Sequence, residues 1–187
     1  MRIISGEYGG RRLQAVPGMK TRPTLDKVKE TMFNILRPYL KGGNVLDLYA
    51  GTGALGIEAV SRGMDHATLV DRQYAAYQTI QKNIAVTKQP EKFTLLKMDA
   101  KKALHHFADE QEQFDLILLD PPYKKQQIEK LLQRFVELQL LKPDAVILAE
   151  TDTTVSYPEL TDYRILKQQT YGITEVAIFQ YQGGQQA

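Results

Sequence analysis

The sequence contains no cysteine and no tryptophan. Without cysteine the chain can form neither a disulfide nor a thiolate-bound metal site. Its three histidines are His66, His105 and His106, and no second set of metal-binding side chains accompanies them at a recognisable spacing. We therefore predict that these histidines lie at the surface or at strand edges, and that the protein binds no metal.

Long apolar runs are missing as well. No stretch approaches the roughly 20 apolar residues that a membrane-spanning helix needs. The N-terminus, MRIISGEYGGRR, also lacks the apolar core of a signal peptide. A chain of 187 residues with 43% hydrophobic and 25% charged residues is typical of one globular domain. We expect a cytoplasmic protein that does not bind membranes.

The net charge is small but unevenly distributed. Residues 1–29 carry seven lysines and arginines against two acidic residues, so their net charge is +5. The whole chain sums to +2, which leaves −3 on the other 158 residues. A basic arm on a mildly acidic body fits a polyanionic partner such as a nucleic acid. A solvated charged end without a partner fits the same distribution equally well.

Apolar strands and amphipathic helices alternate along most of the chain. We predict strands at 44–49, 66–71, 92–99, 114–120, 145–151, 163–171 and 174–181, and helices at 24–39, 54–63, 73–87, 101–107 and 128–141. The alternation predicts an α/β fold with a mostly parallel sheet, helices on both faces and an antiparallel edge hairpin. The glycine-rich start predicts a small N-terminal β-hairpin. We place this extension at residues 1–23 and the main domain at 24–187.

The first chemical motif follows the strand predicted at 44–49. It runs Asp-Leu-Tyr-Ala-Gly-Thr-Gly-Ala-Leu-Gly from Asp47 to Gly56, and a helix begins inside it. Gly51 and Gly53 permit a tight turn that brings the backbone close to a ligand at a helix N-terminus. This glycine pattern fits a dinucleotide as well as S-adenosylmethionine. Asp47 favours S-adenosylmethionine, because a carboxylate suits a ligand that carries an ammonium and a sulfonium group.

Two further acids stand at the ends of predicted strands. Asp71 can accept hydrogen bonds from both ribose hydroxyls of either cofactor. Asp99 can accept from an adenine amino group, and it equally suits the N-cap of a helix. The predicted cofactor site consists of Asp47, Tyr49, Gly51, Gly53, Asp71, Arg72, Asp99 and Ala100.

The motif that favours one chemistry is Asp-Pro-Pro-Tyr at residues 120–123, directly after the apolar run FDLILL. Pro121 and Pro122 remove backbone donors and keep their neighbours extended, so the segment is stiff and offers acceptors, above all the Asp120 carboxylate. Acceptors that bind both hydrogens of a base amino group free the nitrogen lone pair to attack a methyl group. Tyr123 offers a flat face for stacking. We predict that these four residues are catalytic.

Several segments together resemble one family. DLYAGTGALGIEAVSRG and LLDPPY, preceded by RIISGEYGGRRL and RPTLDKVKETMFNIL, resemble the bacterial 16S rRNA (guanine-N2)-methyltransferases of the RsmD type over nearly the whole chain. The resemblance implies a Rossmann-like class I methyltransferase fold with a seven-stranded sheet. It implies S-adenosylmethionine as cofactor and 16S rRNA, or the assembling small ribosomal subunit, as partner. Two positions depart from the family, because relatives often carry Glu in place of Asp71 and Phe in place of Tyr49.

The resemblance and the positions of the basic residues together suggest which residues meet the RNA. Arg22 and Thr24 match the family's RPT stretch, so we expect them near the site on the RNA side. Lys124 follows the catalytic motif and can hold a phosphate, and an ordinary surface lysine fits this position equally well. A guanine in folded rRNA must leave its stack before its amino group can enter such a pocket. We expect Arg11 and Arg12 of the basic arm to bind the surrounding phosphates.

Other functions remain compatible with parts of the sequence. The same chemistry could act on DNA adenine or cytosine, or on a protein glutamine amide, because Asp-Pro-Pro-Tyr recognises an amino group and not a particular base. The glycine pattern together with Asp71 also fits an NAD-dependent oxidoreductase, although that function gives no reason for Asp-Pro-Pro-Tyr. A module that only binds nucleic acid would need neither the cofactor loop nor Asp120.

Overall fold

A computed structural model of the chain describes residues 1–19, 24–122, 127–151, 156–157 and 160–183, with the side chains of residues 24 and 25 outside that description. The chain divides into two compact units, Met1–Ala100 and Lys101–Ala187. The N-terminal segment therefore belongs to the first unit. The division into an extension at 1–23 and a domain at 24–187 stays a prediction.

The first unit alternates helices and strands. Its elements are α1 (Thr24–Leu36), a 3₁₀ turn (Arg37–Tyr39), β1 (Asn44–Asp47), α2 (Ala54–Ser61), β2 (His66–Asp71), α3 (Tyr74–Val86), a 3₁₀ turn (Pro90–Lys92) and β3 (Phe93–Lys97). β2 runs parallel to both β1 and β3. Because the three strands run the same way, the segments that follow Asp47, Asp71 and Lys97 leave from one edge of the sheet.

The second unit ends in antiparallel strands. Its elements are α4 (Ala100–Asp109, which starts at the boundary), β4 (Phe114–Leu119), α5 (Gln127–Glu137), β5 (Leu141–Thr151), β6 (Tyr163–Tyr171) and β7 (Thr174–Tyr181). β4 and β5 are parallel, whereas β7 is antiparallel to both β5 and β6. The turn between β6 and β7 contains Gly172, whose φ of 62° lies in the left-handed region that glycine adopts at low cost.

Within the described residues, seven strands form one sheet in the order β3-β2-β1-β4-β5-β7-β6. The predicted α/β fold, a mostly parallel seven-stranded sheet with an antiparallel edge hairpin, is confirmed. Leu116, Ile117, Leu118 and Leu119 of β4 are all buried, as expected of a strand covered on both faces. None of the helices in the described part of the chain has the length and the apolar content to cross a membrane.

Two element boundaries differ by four residues from the sequence prediction, and the other boundaries of the main-domain elements differ by three or fewer. α5 ends at Glu137, four residues before the predicted end, and Gln139 then takes a left-handed φ of 55°. β5 begins four residues before the predicted start, because Leu141 already pairs with Phe114. The register shifts between Phe114 and Leu116, and Asp144 opposite this shift has a φ of 62°. Because of this irregularity, the residues from Leu141 to Asp144 have a sequence typical of a loop although they belong to β5.

The N-terminal segment doubles back on itself with little regular strand. Ile3 N–H donates to the Arg11 carbonyl at 2.9 Å, Gly10 N–H donates to the Ile3 carbonyl at 2.8 Å, and Arg2 forms an antiparallel bridge with Arg12. The two predicted strands are reduced to this bridge, because neighbouring backbone groups bond to α2 instead. Four of its larger side chains are buried, namely Ile3, Tyr8, Leu13 and Val16. The segment is therefore a packed part of the first unit.

Candidate active site

The glycine loop between β1 and α2 exposes its backbone. Gly51 and Gly53 have left-handed φ angles of 57° and 80°. A Cβ added at Gly51 would meet no atom within 4 Å, whereas one at Gly53 would lie 3.3 Å from Ile80. The backbone at Gly51 thus borders open space that a ligand can fill, while Gly53 is held against α3.

Asp47 holds the exit of this loop. Its side chain is buried, and Oδ2 accepts a hydrogen bond of 3.0 Å from the N–H of Gly56 in the first turn of α2. A carboxylate at this place also compensates the positive end of the helix dipole. A Cβ on Gly56 would collide with Leu69 of β2, so this glycine lets the helix lie close to the strands. The contact of Asp47 with the cationic part of a cofactor stays a prediction.

Asp71 ties together the segments that leave the three parallel strands. Its Oδ2 accepts from Gly51 N–H at 2.9 Å, and its Oδ1 accepts from Gln73 N–H at 2.9 Å. Its backbone carbonyl accepts from Met98 N–H at 3.2 Å. One residue therefore joins the glycine loop to the start of α3 and to the segment before α4.

The negative charge of Asp99 acts on the half-buried phenol of Tyr49. Burial, followed by the negative charge of Asp99, raises the pKa of Tyr49 to about 12. The tyrosine is therefore a neutral phenol at physiological pH. Ala100 is the first residue of α4, and Arg72 is exposed beyond the end of β2. The structure thus places every predicted cofactor residue at the same edge of the strands of the first unit.

The Asp-Pro-Pro motif begins directly after β4. Asp120 is exposed, Pro121 is buried and Pro122 is exposed again. The buried proline fixes the backbone beside Asp120, because its ring restricts φ and its neighbour's conformation. The carboxylate is thus presented from a firmly anchored strand end. Four predicted site residues lie outside the described part of the chain, wholly or by their side chains: Arg22, Thr24, Tyr123 and Lys124.

Arg11 and Arg12 of the basic arm have different surroundings. Arg11 donates from Nη1 to the carbonyls of Val86 and Thr87, at 3.0 and 2.8 Å, and its guanidinium lies 5.3 Å from the ring centre of Tyr8. It therefore caps the C-terminal carbonyls of α3. Arg12 is exposed. The expectation that the arm binds phosphate stays a prediction, and the structure gives Arg11 a structural task besides it.

Sequence reasoning missed two buried polar residues that hold segments of the first unit together. Asn83 of α3 and Glu58 of α2 are both 0% exposed. The sequence of each helix contains an indication of such a residue, namely a polar side chain among apolar ones. Glu58 is the only charged residue of ALGIEAVS, and Asn83 shares the face of Ile80 and Ile84. A polar side chain in an apolar stretch needs a partner, but the sequence did not reveal which one.

Comparison with known proteins gives matches over nearly the full length. The model of a family described as conserved hypothetical protein 95 matches residues 1–180. A Bacillus subtilis protein, "putative rRNA methyltransferase YlbH", is 46% identical over 184 residues, which cover 98% of this chain and 100% of the relative. "Ribosomal RNA small subunit methyltransferase D" of Haemophilus influenzae is 33% identical over 96% of this chain and 93% of its own length. The solved structure of "putative methyltransferase yhhF" from Escherichia coli has a TM-score of 0.82 at 30% identity, covering 97% of this chain and 98% of that one.

Proposed function

Since this chain belongs to the family described as conserved hypothetical protein 95, the RsmD-type rRNA methyltransferases, we propose that it methylates the exocyclic N2 amino group of a guanine in 16S rRNA. The chain is a methyltransferase, its cofactor is S-adenosylmethionine and its substrate is rRNA. The choice of the small subunit and of guanine N2 is our inference, and we place the reaction in the cytoplasm. The observation that carries this inference is Asp120-Pro121-Pro122 directly after β4, in a chain of which 96% aligns with a relative named for small-subunit rRNA.

The residues of the first unit fit the cofactor. S-adenosylmethionine supplies a methyl group activated by its sulfonium centre. The open backbone at Gly51 can receive the methionine part. A carboxylate offers about four acceptor sites, so Asp71 can hold the loop and still accept the ribose hydroxyls. Asp99 can accept from the adenine amino group, with the neutral Tyr49 beside it.

Asp120 has the chemistry that the methyl acceptor requires. The N2 amino group is a weak nucleophile, because its lone pair is delocalised into the guanine ring. When a carboxylate accepts its hydrogens, the nitrogen becomes more pyramidal and its lone pair becomes available. As the bond from nitrogen to the methyl carbon forms, the bond from that carbon to the cofactor sulfur would break and S-adenosylhomocysteine would leave. The nitrogen turns positive in this step, and it then gives up one proton to water. We assign to Asp120 both the stabilisation of this charge and the acceptance of hydrogen bonds from the amino group.

On the RNA side we propose that the exposed Arg12 binds phosphate. Arg12→Ala should weaken RNA binding about equally for all sequences and reduce the slope of log affinity against log salt by about one unit. Binding should be titrated at several salt concentrations, together with thermal unfolding. Arg11→Ala is the contrasting variant, because it removes the cap of α3 and should lower the melting temperature. Unchanged affinity and unchanged slope in Arg12→Ala would remove Arg12 from the RNA interface.

The experiment that tests the function is transfer of labelled methyl from S-adenosylmethionine to a panel of acceptors. The panel comprises protein-free 16S rRNA, small subunits that lack the modification, duplex DNA and a protein with an accessible glutamine amide. Digestion to nucleosides then identifies the product. Label in N2-methylguanosine from rRNA or subunits is the expected result. Label in DNA or protein would preserve the amino-group chemistry and overturn the substrate.

A further inference from the structure

The buried amide of Asn83 connects three parts of the first unit. Its Oδ1 accepts from the backbone N–H of Gln14 at 2.7 Å, and its Nδ2 donates to the carbonyl of the same residue at 3.0 Å. The Nδ2 also donates to the carbonyl of Thr52 at 2.8 Å. One side chain on α3 thereby holds two other segments. It pairs with both backbone groups of Gln14 as a neighbouring strand would, and it also binds the glycine loop.

The bond to Thr52 acts at the most deformable point of the loop. Thr52 lies between Gly51 and Gly53, which lack the side chains that restrict other residues. The peptide that joins Thr52 to Gly53 is hydrogen-bonded at both ends, because Gly53 N–H donates to the Ala50 carbonyl at 2.7 Å. At the other end of this peptide, the Thr52 carbonyl accepts the hydrogen bond from Asn83. The orientation of this peptide is therefore fixed, and with it the backbone that borders the open space at Gly51.

The N-terminal segment keeps this tether in place through further contacts with α3. Arg11 binds the carbonyls at the end of the helix, and the Tyr8 hydroxyl donates to Gln89 just beyond it. Gln14 uses both of its backbone groups on Asn83. The amide of Asn83 is consequently held in one orientation, with its remaining N–H directed at the loop.

We propose that Asn83 is a positioning residue for the cofactor loop, and that through Gln14 it makes the N-terminal segment a structural part of the cofactor site. The proposal deepens the proposed function and rests on its assignment of the glycine loop to S-adenosylmethionine. It predicts that the segment contributes to cofactor affinity without touching the cofactor. A buried amide that only stabilised the fold would not have this effect.

The test compares Asn83→Asp and Asn83→Ala with Thr79→Val. The aspartate keeps the size and one acceptor but lacks the N–H groups that face the Gln14 and Thr52 carbonyls, and the alanine loses all three bonds without adding a buried charge. Thr79 is buried one turn earlier on α3, and its hydroxyl donates to Ala75 within the helix. Thr79→Val therefore perturbs the same helix without loosening the loop.

Binding of S-adenosylhomocysteine should be measured by calorimetry and compared with the melting temperature of each variant. We expect both Asn83 variants to bind it about tenfold more weakly, since a lost hydrogen bond leaves the Thr52 carbonyl unpaired. The affinity of Thr79→Val for S-adenosylhomocysteine should stay within about twofold of the wild type, even where its melting temperature falls as far as those of the Asn83 variants. In methyl transfer, KM for S-adenosylmethionine should rise while kcat at saturation changes little.

Two results would overturn the proposal. Wild-type affinity in a folded Asn83→Ala protein would show that the loop needs no tether. Equal loss of affinity in Thr79→Val at an equal melting temperature would show that Asn83 acts only through stability. Failure of the wild-type protein to bind S-adenosylhomocysteine is a different outcome, because it would overturn the proposed function and this inference together.

Discussion

Replacing Asp120 by alanine is expected to remove most methyl transfer while the affinity for S-adenosylhomocysteine stays close to that of the wild type. The carboxylate follows a buried strand and precedes a buried proline, so the substitution removes the acceptor and leaves its support in place. Loss of one group that stabilises the charge developing in a transition state costs about 10²- to 10³-fold in rate. Single-turnover transfer to the accepted substrate measures this effect directly.

Two variants separate the chemistry of Asp120 from its effect on the fold. Asp120→Asn keeps the shape but loses the negative charge, so it should retain the melting temperature and still lose most of the rate. Asp115→Ala is the matched control on the same strand, where the carboxylate pairs with Lys142 at 3.1 Å in a half-exposed position. A pair of this kind contributes about 1 kcal/mol or less, and turnover should persist. Wild-type turnover in Asp120→Ala would refute the assigned role.

The parts of the site that sequence predicted are those governed by short-range rules. Gly51 and Gly53 predict a tight turn before a helix, and the sequence pattern places Asp71 at the end of an apolar strand. Parallel strands bring such ends to one edge, so a pattern along the chain becomes a cluster in space. The bond from Gly51 N–H to Asp71 is a direct result of that arrangement.

The supporting contacts could not be predicted, because each depends on which distant segments pack together. Asn83 bonds to a residue 69 positions away, and Glu58 bonds to the N–H of Ile4 across 54 positions. The positive charge of Arg11 predicts a contact with phosphate, whereas its hydrogen bonds to the end of α3 could not be predicted. Charge and periodicity describe what a residue can bind, whereas tertiary packing decides what it does bind.

The second large effect is expected at Glu58, whose carboxylate is buried among two cations and two backbone donors. It accepts from the N–H groups of Ile4 and Ser5 at 2.8 and 3.2 Å. Its oxygens lie 3.9 Å from Lys29 Nζ and 3.5 Å from Arg62 Nε, and both of these side chains are largely buried. This cluster attaches the N-terminal segment and α1 to α2.

Glu58→Ala should destabilise the protein by about 3–5 kcal/mol, because it leaves two buried cations without their counter-charge. For a chain of this size such a loss lowers the melting temperature by about 6–20 °C. Glu137→Ala provides the matched control. It removes the partner of Arg134 from an ion pair whose side chains are 40% and 58% exposed, and it should cost about 1 kcal/mol or less. Chemical unfolding of the three proteins measures the difference.

The pH dependence of Glu58→Ala separates a lost charge from a lost contact. Burial lowers the pKa of Lys29, and Glu58 opposes that shift. Without Glu58 the pKa of Lys29 in the folded protein falls further below its unfolded value. Consider the pH range between the pKa of Lys29 in the folded variant and its pKa in the folded wild type. In this range the folded variant has released the Lys29 proton while its unfolded chain keeps it, so the variant's stability rises with pH. The wild type gains nothing from Lys29 in that window. The gap in unfolding free energy should therefore narrow as the pH rises toward the ordinary pKa of lysine, whereas a constant gap would mean that packing alone was lost.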